Sequence, residues 1–214
     1  FFHFYLEVIP KLIKYNNKET NLYFIIENTS FYSEILSFYK INYFDVDINA
    51  LKCQGIFKMN KYYPSTDDII ILNELNSNFK IEKLSVSRIY ITRQNEQARR
   101  VSNEKELITY LKILNFVIID PGTLSYNEQI RFFRSAEIII APHGAALSNI
   151  VWCNPNTKII ELNGDEDVRW HFAKASFALN FIHILITGKT IDSLYFEASI
   201  DAIKNTLNTF IPVK

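Results

Sequence analysis

The sequence predicts an α/β protein built on a parallel, doubly wound sheet. Short apolar runs alternate with segments of helical periodicity along most of the 214 residues, and this alternation is typical of βαβ units. Several helical segments open with a capping residue followed by acidic side chains. The chain is 48% hydrophobic and has five glycines and six prolines, a globular composition that supplies one large core or two small ones.

Three helices and two strands are predicted in the N-terminal part. Apolar residues at helical spacing and the capping residues Ser30 and Ser65 indicate the helices. The predicted helices lie at residues 4–16, 31–39 and 65–76, and the predicted strands at residues 22–27 and 56–59. A polar stretch near residues 76–85 then marks a hinge, which divides the chain into expected domains of residues 1–80 and 81–214.

The C-terminal part repeats the alternation of strand and helix more regularly. Its strands are predicted at residues 88–92, 116–120, 137–141, 158–162 and 184–186, and its helices at residues 102–114, 126–135, 145–151 and 201–210. Asn103 and the acidic residues after it suit the first turn of the helix that begins at Ser102. This spacing predicts crossover connections and therefore a parallel sheet.

The net charge and the number of cysteines indicate which partners and which cellular compartment to expect. Lys plus Arg and Asp plus Glu number 23 each, so no overall field attracts nucleic acid, and no nucleic-acid partner is expected. Cys53 and Cys153 are too few for a disulfide framework, which favours a reducing, cytoplasmic compartment. The lumen of the secretory pathway stays open for a eukaryotic source. Segments outside this sequence could add a peripheral attachment to a membrane face.

The segment around His143 carries the clearest signal for ligand binding. An apolar strand runs into Pro142-His143-Gly144, and small residues from Ala145 onward open a helix. Ligands of open α/β sheets bind at the carboxyl ends of strands, and the free N–H groups of a helix start favour phosphate. Gly144 lets the backbone approach the ligand, and His143 adds a donor that can carry charge. The alternative is an ordinary strand-to-helix turn with a satisfied histidine.

Arginines form a second candidate cluster. Arg93 follows the strand at residues 88–92, so it is expected at the same sheet edge as His143. Guanidinium groups bind diphosphates through paired hydrogen bonds and keep their charge. Arg99 and Arg100 precede the next helix, and for these two both phosphate binding and a solvated basic turn stay open.

Short motifs follow one another in a fixed order, most densely over residues 88–162. They are Ile91-Thr92-Arg93, Arg100-x-x-Asn103-Glu104, Asp120-Pro121, Gln129 with Ser135-Ala136, Pro142-His143-Gly144-Ala145 and Ile160-Glu161-Leu162. The chain opens with His3-Phe4-x-x-Glu7-x-x-Pro10-x-Leu12. Together these motifs resemble glycosyltransferase family 61, whose N-terminal helix motif is similar to the opening segment. The order of the motifs, rather than any one of them, carries the resemblance.

The resemblance implies a GT-B fold of two Rossmann-like halves, with the N-terminal half short or incomplete in this chain. It implies an inverting glycosyltransferase that moves a sugar from a nucleotide donor, commonly UDP-linked, to a hydroxyl of a glycan or protein. Family members transfer N-acetylglucosamine, xylose or arabinose, and bacterial relatives are associated with surface polysaccharide. The nucleotide sugar is then a substrate, and no separate cofactor is expected.

Negative charge grows on the nucleotide diphosphate as the glycosidic bond breaks. Fixed cations and a helix start can neutralise it, so no metal is expected. The predicted donor-binding residues are Arg93, Arg100, His143, Gly144, Ala145, Asn149 and Glu161. Glu161 is expected at the end of a strand, where it would accept hydrogen bonds from ribose hydroxyls; a surface carboxylate is the alternative.

Inversion also requires a base that takes the proton of the acceptor hydroxyl. His3 and Glu7 are four residues apart, so they share one face of the predicted first helix. They are the candidates for the catalytic base, and a structural pair of side chains is the alternative.

Other patterns give weaker signals. Asp45-Val46-Asp47 is the D-x-D pattern with which another glycosyltransferase fold holds a divalent metal, but it precedes no recognisable partner ligand. His171 and His183 lack the spacing of metal ligands. The pair Trp170-His171 fits either the edge of a core or the cover of a nucleotide base. Two further functions stay open, a non-catalytic nucleotide-sugar-binding domain and a UDP-sugar epimerase.

Overall fold

The computed structural model describes residues 3–16, 24–25, 30–44, 64–166 and 168–211. The N-terminal elements are a π-helix (His3–Val8), α1 (Ile9–Asn16), β1 (Phe24–Ile25), α2 (Ser30–Phe38), β2 (Tyr43–Phe44) and α3 (Thr66–Ser77). The following elements are β3 (Arg88–Ile91), β4 (Arg100–Val101), α4 (Glu104–Ile113), β5 (Val117–Ile119), a 3₁₀ turn (Pro121–Thr123), α5 (Tyr126–Ser135) and β6 (Ile138–Pro142). The last are a 3₁₀ helix (Ala145–Trp152), β7 (Lys158–Gly164), α6 (His171–Ala178), β8 (Ile182–Thr190), β9 (Tyr195–Glu197) and α7 (Ile200–Phe210).

Within the described ranges, seven strands form one sheet in the order β4-β9-β8-β7-β6-β3-β5. The five strands from β5 to β8 are parallel, whereas β9 is antiparallel to β8 and parallel to β4. Apart from β4, which lies at the far edge beside β9, the chain passes from β3 to β5 on one side and then crosses to β6, β7 and β8 on the other. The strand order therefore reverses between β3 and β6, and this reversal is the topological switch point at which open α/β sheets bind ligands.

Helices cover both faces of this sheet. Ile89, Ile139 and Ile159 face a core that also contains residues of α5, α6 and the 3₁₀ helix Ala145–Trp152. Tyr90 and Ile160 belong to a second core, on the opposite face, with residues of α4 and α7. The alternation of neighbours between two cores follows from the two-residue period of a strand. The predicted α/β class is thus confirmed.

The N-terminal helices pack on the first of these two faces. Tyr5 and Leu6 of the π-helix, Leu12 of α1 and Ile35 of α2 are fully or almost fully buried and share a core with the strand residues of that face. β1 and β2 form a separate two-stranded parallel pair. Among the described residues, no helix combines the length and the apolar content that crossing a bilayer requires.

Several predicted elements have the observed positions, and others were missed. The helix predicted at residues 126–135 is α5, and Ser125 and Glu128 form the capping box at its start. β4, β9 and α6 were not predicted, and the strand expected at residues 184–186 extends over all of β8. The predicted strand at residues 56–59, Cys53 and the Asp45-Val46-Asp47 pattern lie outside the described residues.

Candidate functional site

Two segments leave the sheet at the switch point and meet beside it. Arg93 follows β3, and His143 and Gly144 follow β6. The backbone N–H of His143 donates to the Leu162 carbonyl over 2.8 Å, which extends the β6–β7 ladder by one residue. The Arg93 guanidinium lies over Gly144, because a Cβ on that glycine would be 2.8 Å from Arg93 Cζ. The structure therefore brings Arg93, His143 and Gly144 together.

Arg93 is held by its own loop. Its side chain is buried, and its Nε and Nη2 donate to the Ala98 carbonyl at 3.3 and 3.2 Å. Nη2 also lies 3.6 Å from the Glu96 carboxylate. Burial lowers the pKa of Arg93, and Glu96 partly offsets this effect. An arginine stays protonated after such a shift, so the group is a fixed cation beside the His143 turn.

His143 belongs to a buried hydrogen-bonded chain of four side chains. Its Nδ1 bonds to one carboxylate oxygen of Glu161, and His183 Nε2 lies 2.9 Å from the other oxygen. His183 Nδ1 lies 2.8 Å from Ser176 Oγ. Burial raises the pKa of Glu161, but the hydrogen bonds and charges of the two histidines outweigh that effect and lower it overall. Glu161 is therefore an ionised group inside the protein.

The position of Glu161 corrects two expectations. β7 continues for three residues beyond it to Gly164, so Glu161 does not end the strand. Its side chain is 0% exposed, so it is not a surface carboxylate either. Since both carboxylate oxygens accept hydrogen bonds from histidines, the predicted direct contact with ribose hydroxyls is not supported by its surroundings.

The turn after β6 opens a 3₁₀ helix rather than an α-helix. Gly144 is its N-cap, and Ala145, which is half-buried, is its first residue. The φ of Gly144 is 177°, an extended angle that any residue can adopt. Its lack of a side chain matters because the Arg93 guanidinium occupies the space that a Cβ would need.

Asn149 and Arg100 do not join this cluster. Asn149 is fully buried, and its Nδ2 donates over 2.8 Å to Gln129 of α5, so it packs the 3₁₀ helix against α5. Arg100 lies in the edge strand β4, which β9, β8 and β7 separate from β6. Its Cζ lies 4.2 Å from the centroid of the Tyr195 ring, in a cation–π contact. A donor contact predicted for either residue is not supported by these positions.

A basic and aromatic cavity lies next to His143. It has a volume of about 400 Å³ and is lined by Pro64, Ile69, Val168, Arg169, Trp170, His171 and Lys174. The ring centroids of His171 and His143 are 5.9 Å apart. Trp170 is 59% exposed, so the interpretation of this residue as the edge of a core is wrong. Burial, together with the charges of His143 and Arg169, lowers the pKa of His171.

Of the two candidates for the catalytic base, the structure describes the side chain of Glu7. Glu7 is buried in the π-helix, and the side chain of His3 lies outside what the structure describes.

In the part of the chain that the structure describes, no group of three or more His, Cys, Asp or Glu side chains could hold a metal ion.

Sequence reasoning missed the roles of His183 and Ser176. His183 is 22 residues from Glu161, and the two meet only because β8 pairs with β7 in the register that sets His183 opposite Ile159. That register is a property of the folded sheet. The local signal available was a histidine directly before the apolar run Ile184-Leu185-Ile186.

Comparisons with known proteins confirm the family resemblance that the motifs indicate. The sequence matches the family model Glycosyltransferase 61 over residues 1–160. It is 31% identical over 85 residues to a beta-1,2-xylosyltransferase of Oryza sativa subsp. japonica, covering 36% of this chain and 16% of that protein. It is 27% identical over 124 residues to the EGF domain-specific O-linked N-acetylglucosamine transferase of Gallus gallus. This alignment covers 56% of this chain and 23% of that protein. A beta-1,2-xylosyltransferase of Arabidopsis thaliana is 43% identical over 49 residues. This alignment covers 23% of this chain and 9% of that protein. The aligned part is thus less than a quarter of each of these relatives.

Proposed function

We propose that this chain, which belongs to glycosyltransferase family 61, contains the donor-binding half of an inverting glycosyltransferase and part of its acceptor half. The donor is a UDP-linked sugar, and the acceptor is a hydroxyl group of a glycan or a protein. The complete enzyme has the two Rossmann-like halves of a GT-B fold. Residues 1–80 belong to its acceptor side and residues 81–214 to its donor side.

One observation carries this proposal: Arg93 and the His143-Gly144 turn meet at the topological switch point of the sheet. Backbone from two strand ends, a fixed cation and a histidine ring converge there without an acidic side chain on the turn itself. Diphosphates bind at such places because backbone N–H groups and guanidinium groups donate to their oxygens. The switch point is also where open α/β sheets hold nucleotides.

The chemistry of transfer explains why cations are needed there. The bond between the anomeric carbon and the phosphate oxygen breaks, and the electron pair of that bond stays on the diphosphate. Arg93 and His143 stabilise the charge that develops on this leaving group, an effect that is large where water is excluded. Because these groups are already in place, neither binding nor transfer should depend on a divalent metal.

The cavity beside His143 is a suitable place for the rest of the donor. His171 lines this cavity, and its ring packs beside the ring of His143. The cavity is therefore adjacent to the proposed diphosphate position. Trp170 offers an exposed aromatic face, on which a nucleobase can stack. Arg169 and Lys174 line the same cavity and favour an anionic ligand.

The base belongs to the acceptor side in this proposal. His3 and Glu7 are in the first helix, in the part of the chain assigned to the acceptor half. We assign His3 as the base, because an unperturbed imidazole titrates near neutral pH. Glu7 orients it, or serves as the base in its place.

Calorimetry with UDP tests the proposed site. Arg93→Ala and His143→Ala should each weaken UDP binding, because losing one hydrogen bond to a charged group costs about 1.5–3 kcal/mol. Arg131→Ala is the matched control, since Arg131 is a partly exposed arginine that pairs with Glu82 on the surface. The UDP affinity of the unaltered chain should be the same in EDTA. Unchanged affinity in both site variants, with folding intact, would remove this turn from the donor site.

A further inference from the structure

Glu161 is a charged residue at a position that suits an apolar one. It lies in β7, the middle strand of the sheet, and no part of its side chain is exposed. Its neighbours Ile160 and Leu162 pack in the core against α4 and α7. A carboxylate removed from water costs free energy unless it is paired and hydrogen-bonded. The reason for a carboxylate at this position must therefore lie in its partners.

Those partners come from the strands on either side of β7. His143 follows β6, and His183 lies in β8 opposite Ile159, two residues before Glu161. Side chains two residues apart in a strand point to the same face, so Glu161 and His183 share the face that α6 covers. Each carboxylate oxygen takes one histidine, and Ser176 of α6 holds the far nitrogen of His183.

When both imidazole rings are neutral, the hydrogen-bonding capacities of these groups fix one arrangement of protons. An ionised carboxylate only accepts hydrogen bonds, so each histidine must donate an N–H to Glu161. His183 donates from Nε2, which leaves its Nδ1 to accept from the Ser176 hydroxyl. His143 donates from Nδ1. Its other nitrogen, Nε2, makes no hydrogen bond to the described part of the chain.

From this network, and resting on the proposed function, we infer that Glu161 is a positioning residue that holds His143 for the donor diphosphate. It fixes the His143 ring through Nδ1, so that Nε2 faces the ligand and, once the ring is protonated there as well, donates to a diphosphate oxygen. His183 and Ser176 in turn hold the carboxylate in place. Glu161 itself does not contact the donor. Hydrogen bonds behind a ligand-binding histidine act in this way in metal sites, where they set the tautomer and the ring orientation.

The test combines UDP affinity with the protonation of the His143 ring. Glu161→Gln keeps the size of the side chain but replaces one accepting oxygen with a donating NH₂, so it cannot accept from both histidines. UDP affinity should fall by about tenfold, the lower end of what a lost charge-assisted hydrogen bond costs. Imidazole ¹⁵N shifts, measured where the ring is neutral, should place the proton on Nδ1 in the unaltered chain and redistribute it in the variant.

Two further variants set the scale of the effect. Ser176→Ala removes the last hydrogen bond of the network and should weaken UDP binding less than Glu161→Gln does. Glu104→Gln is the matched control, because Glu104 is a buried carboxylate that accepts from Tyr90 and Thr92 on the other face of the sheet. It should leave both the UDP affinity and the His143 signals unchanged.

The outcomes separate this inference from the proposed function. If His143→Ala weakens UDP binding while Glu161→Gln changes neither the affinity nor the His143 signals, the inference is wrong and the donor site stands. If His143→Ala has no effect on UDP, the donor site itself fails. A proton on Nε2 rather than Nδ1 of neutral His143 in the unaltered chain overturns the inference without any variant, even if Glu161→Gln does not fold.

Discussion

Gly144 shows how one missing side chain can serve the proposed donor site. Its extended backbone would accept any residue, so conformational freedom is not the reason for a glycine here. The space beside its Cα is filled by the guanidinium of Arg93. Because that group is the far end of a long side chain, it can move away if a Cβ is added. The fold then survives, and the position of the cation is lost.

Gly144→Ala should therefore lower UDP affinity while leaving the free energy of unfolding almost unchanged. The expected loss approaches that of Arg93→Ala, about 1.5–3 kcal/mol, because the same charge-assisted contact is disturbed. Gly122→Ala is the control, since its added Cβ would lie 3.3 Å from Asp120 Oδ1, outside the site. Calorimetry and a denaturant titration measure the two quantities. A Gly144→Ala variant that unfolds readily, or binds UDP normally, would contradict this account.

At the residue scale, the sequence predicts those site residues whose places follow from local order. Arg93 and His143 each follow an apolar strand, and the carboxyl ends of parallel strands share one edge of a sheet. The same local order predicts Asn149 at the site, but in the structure the short 3₁₀ helix turns its side chain toward α5. Glu161 and His183 could not be paired, since their contact depends on the register of two strands.

At the scale of elements, strong local signals gave correct boundaries and weak ones did not. The start of α5 could be predicted because Ser125 and Glu128 form a capping box there, and the amphipathic period of the following residues indicates the helix itself. β4 and β9 have two and three residues, too few to show a two-residue period, and they form through pairing with each other. α6 was missed because it begins at Trp170-His171 without a capping side chain.

The start of α6 gives a prediction at this scale. Trp170→Ala should weaken UDP binding, because stacking of a base on an aromatic ring contributes about 1–3 kcal/mol. Phe177→Ala is the matched control, since Phe177 lies in the same helix, is 87% exposed and does not line the cavity. Fluorescence quenching of Trp170 by UDP provides a second measurement. Equal UDP affinities in the two variants would place the base elsewhere.

At the scale of the whole molecule, the N-terminal helices and the sheet are joined through one core. Tyr5 of the π-helix and Tyr126 of α5 pack edge to face at 5.9 Å, and Tyr126 also packs against Phe31 and Phe38 of α2. Glu34 of α2 accepts a hydrogen bond from the Tyr126 backbone over 2.9 Å. The first helix therefore has a fixed position relative to the seven-stranded sheet, which the proposed base requires if it is to act on a bound sugar.

The proposed function assigns donor binding and general-base catalysis to different parts of the chain, so the two can be measured apart. In the proposed enzyme, donor affinity depends on Arg93 and His143, whereas the base acts on the acceptor hydroxyl in the transition state. His3→Ala or Glu7→Gln should therefore reduce turnover by about 10²–10⁴-fold, the usual contribution of general-base catalysis, with UDP affinity unchanged. Lys14→Ala, at an exposed position of α1, is the control for disturbance of the helix. Turnover and UDP affinity have to be measured side by side in a preparation that shows transfer. Near-normal turnover in both variants would make this helix structural, and a joint loss of turnover and affinity would mean that it supports the donor site instead.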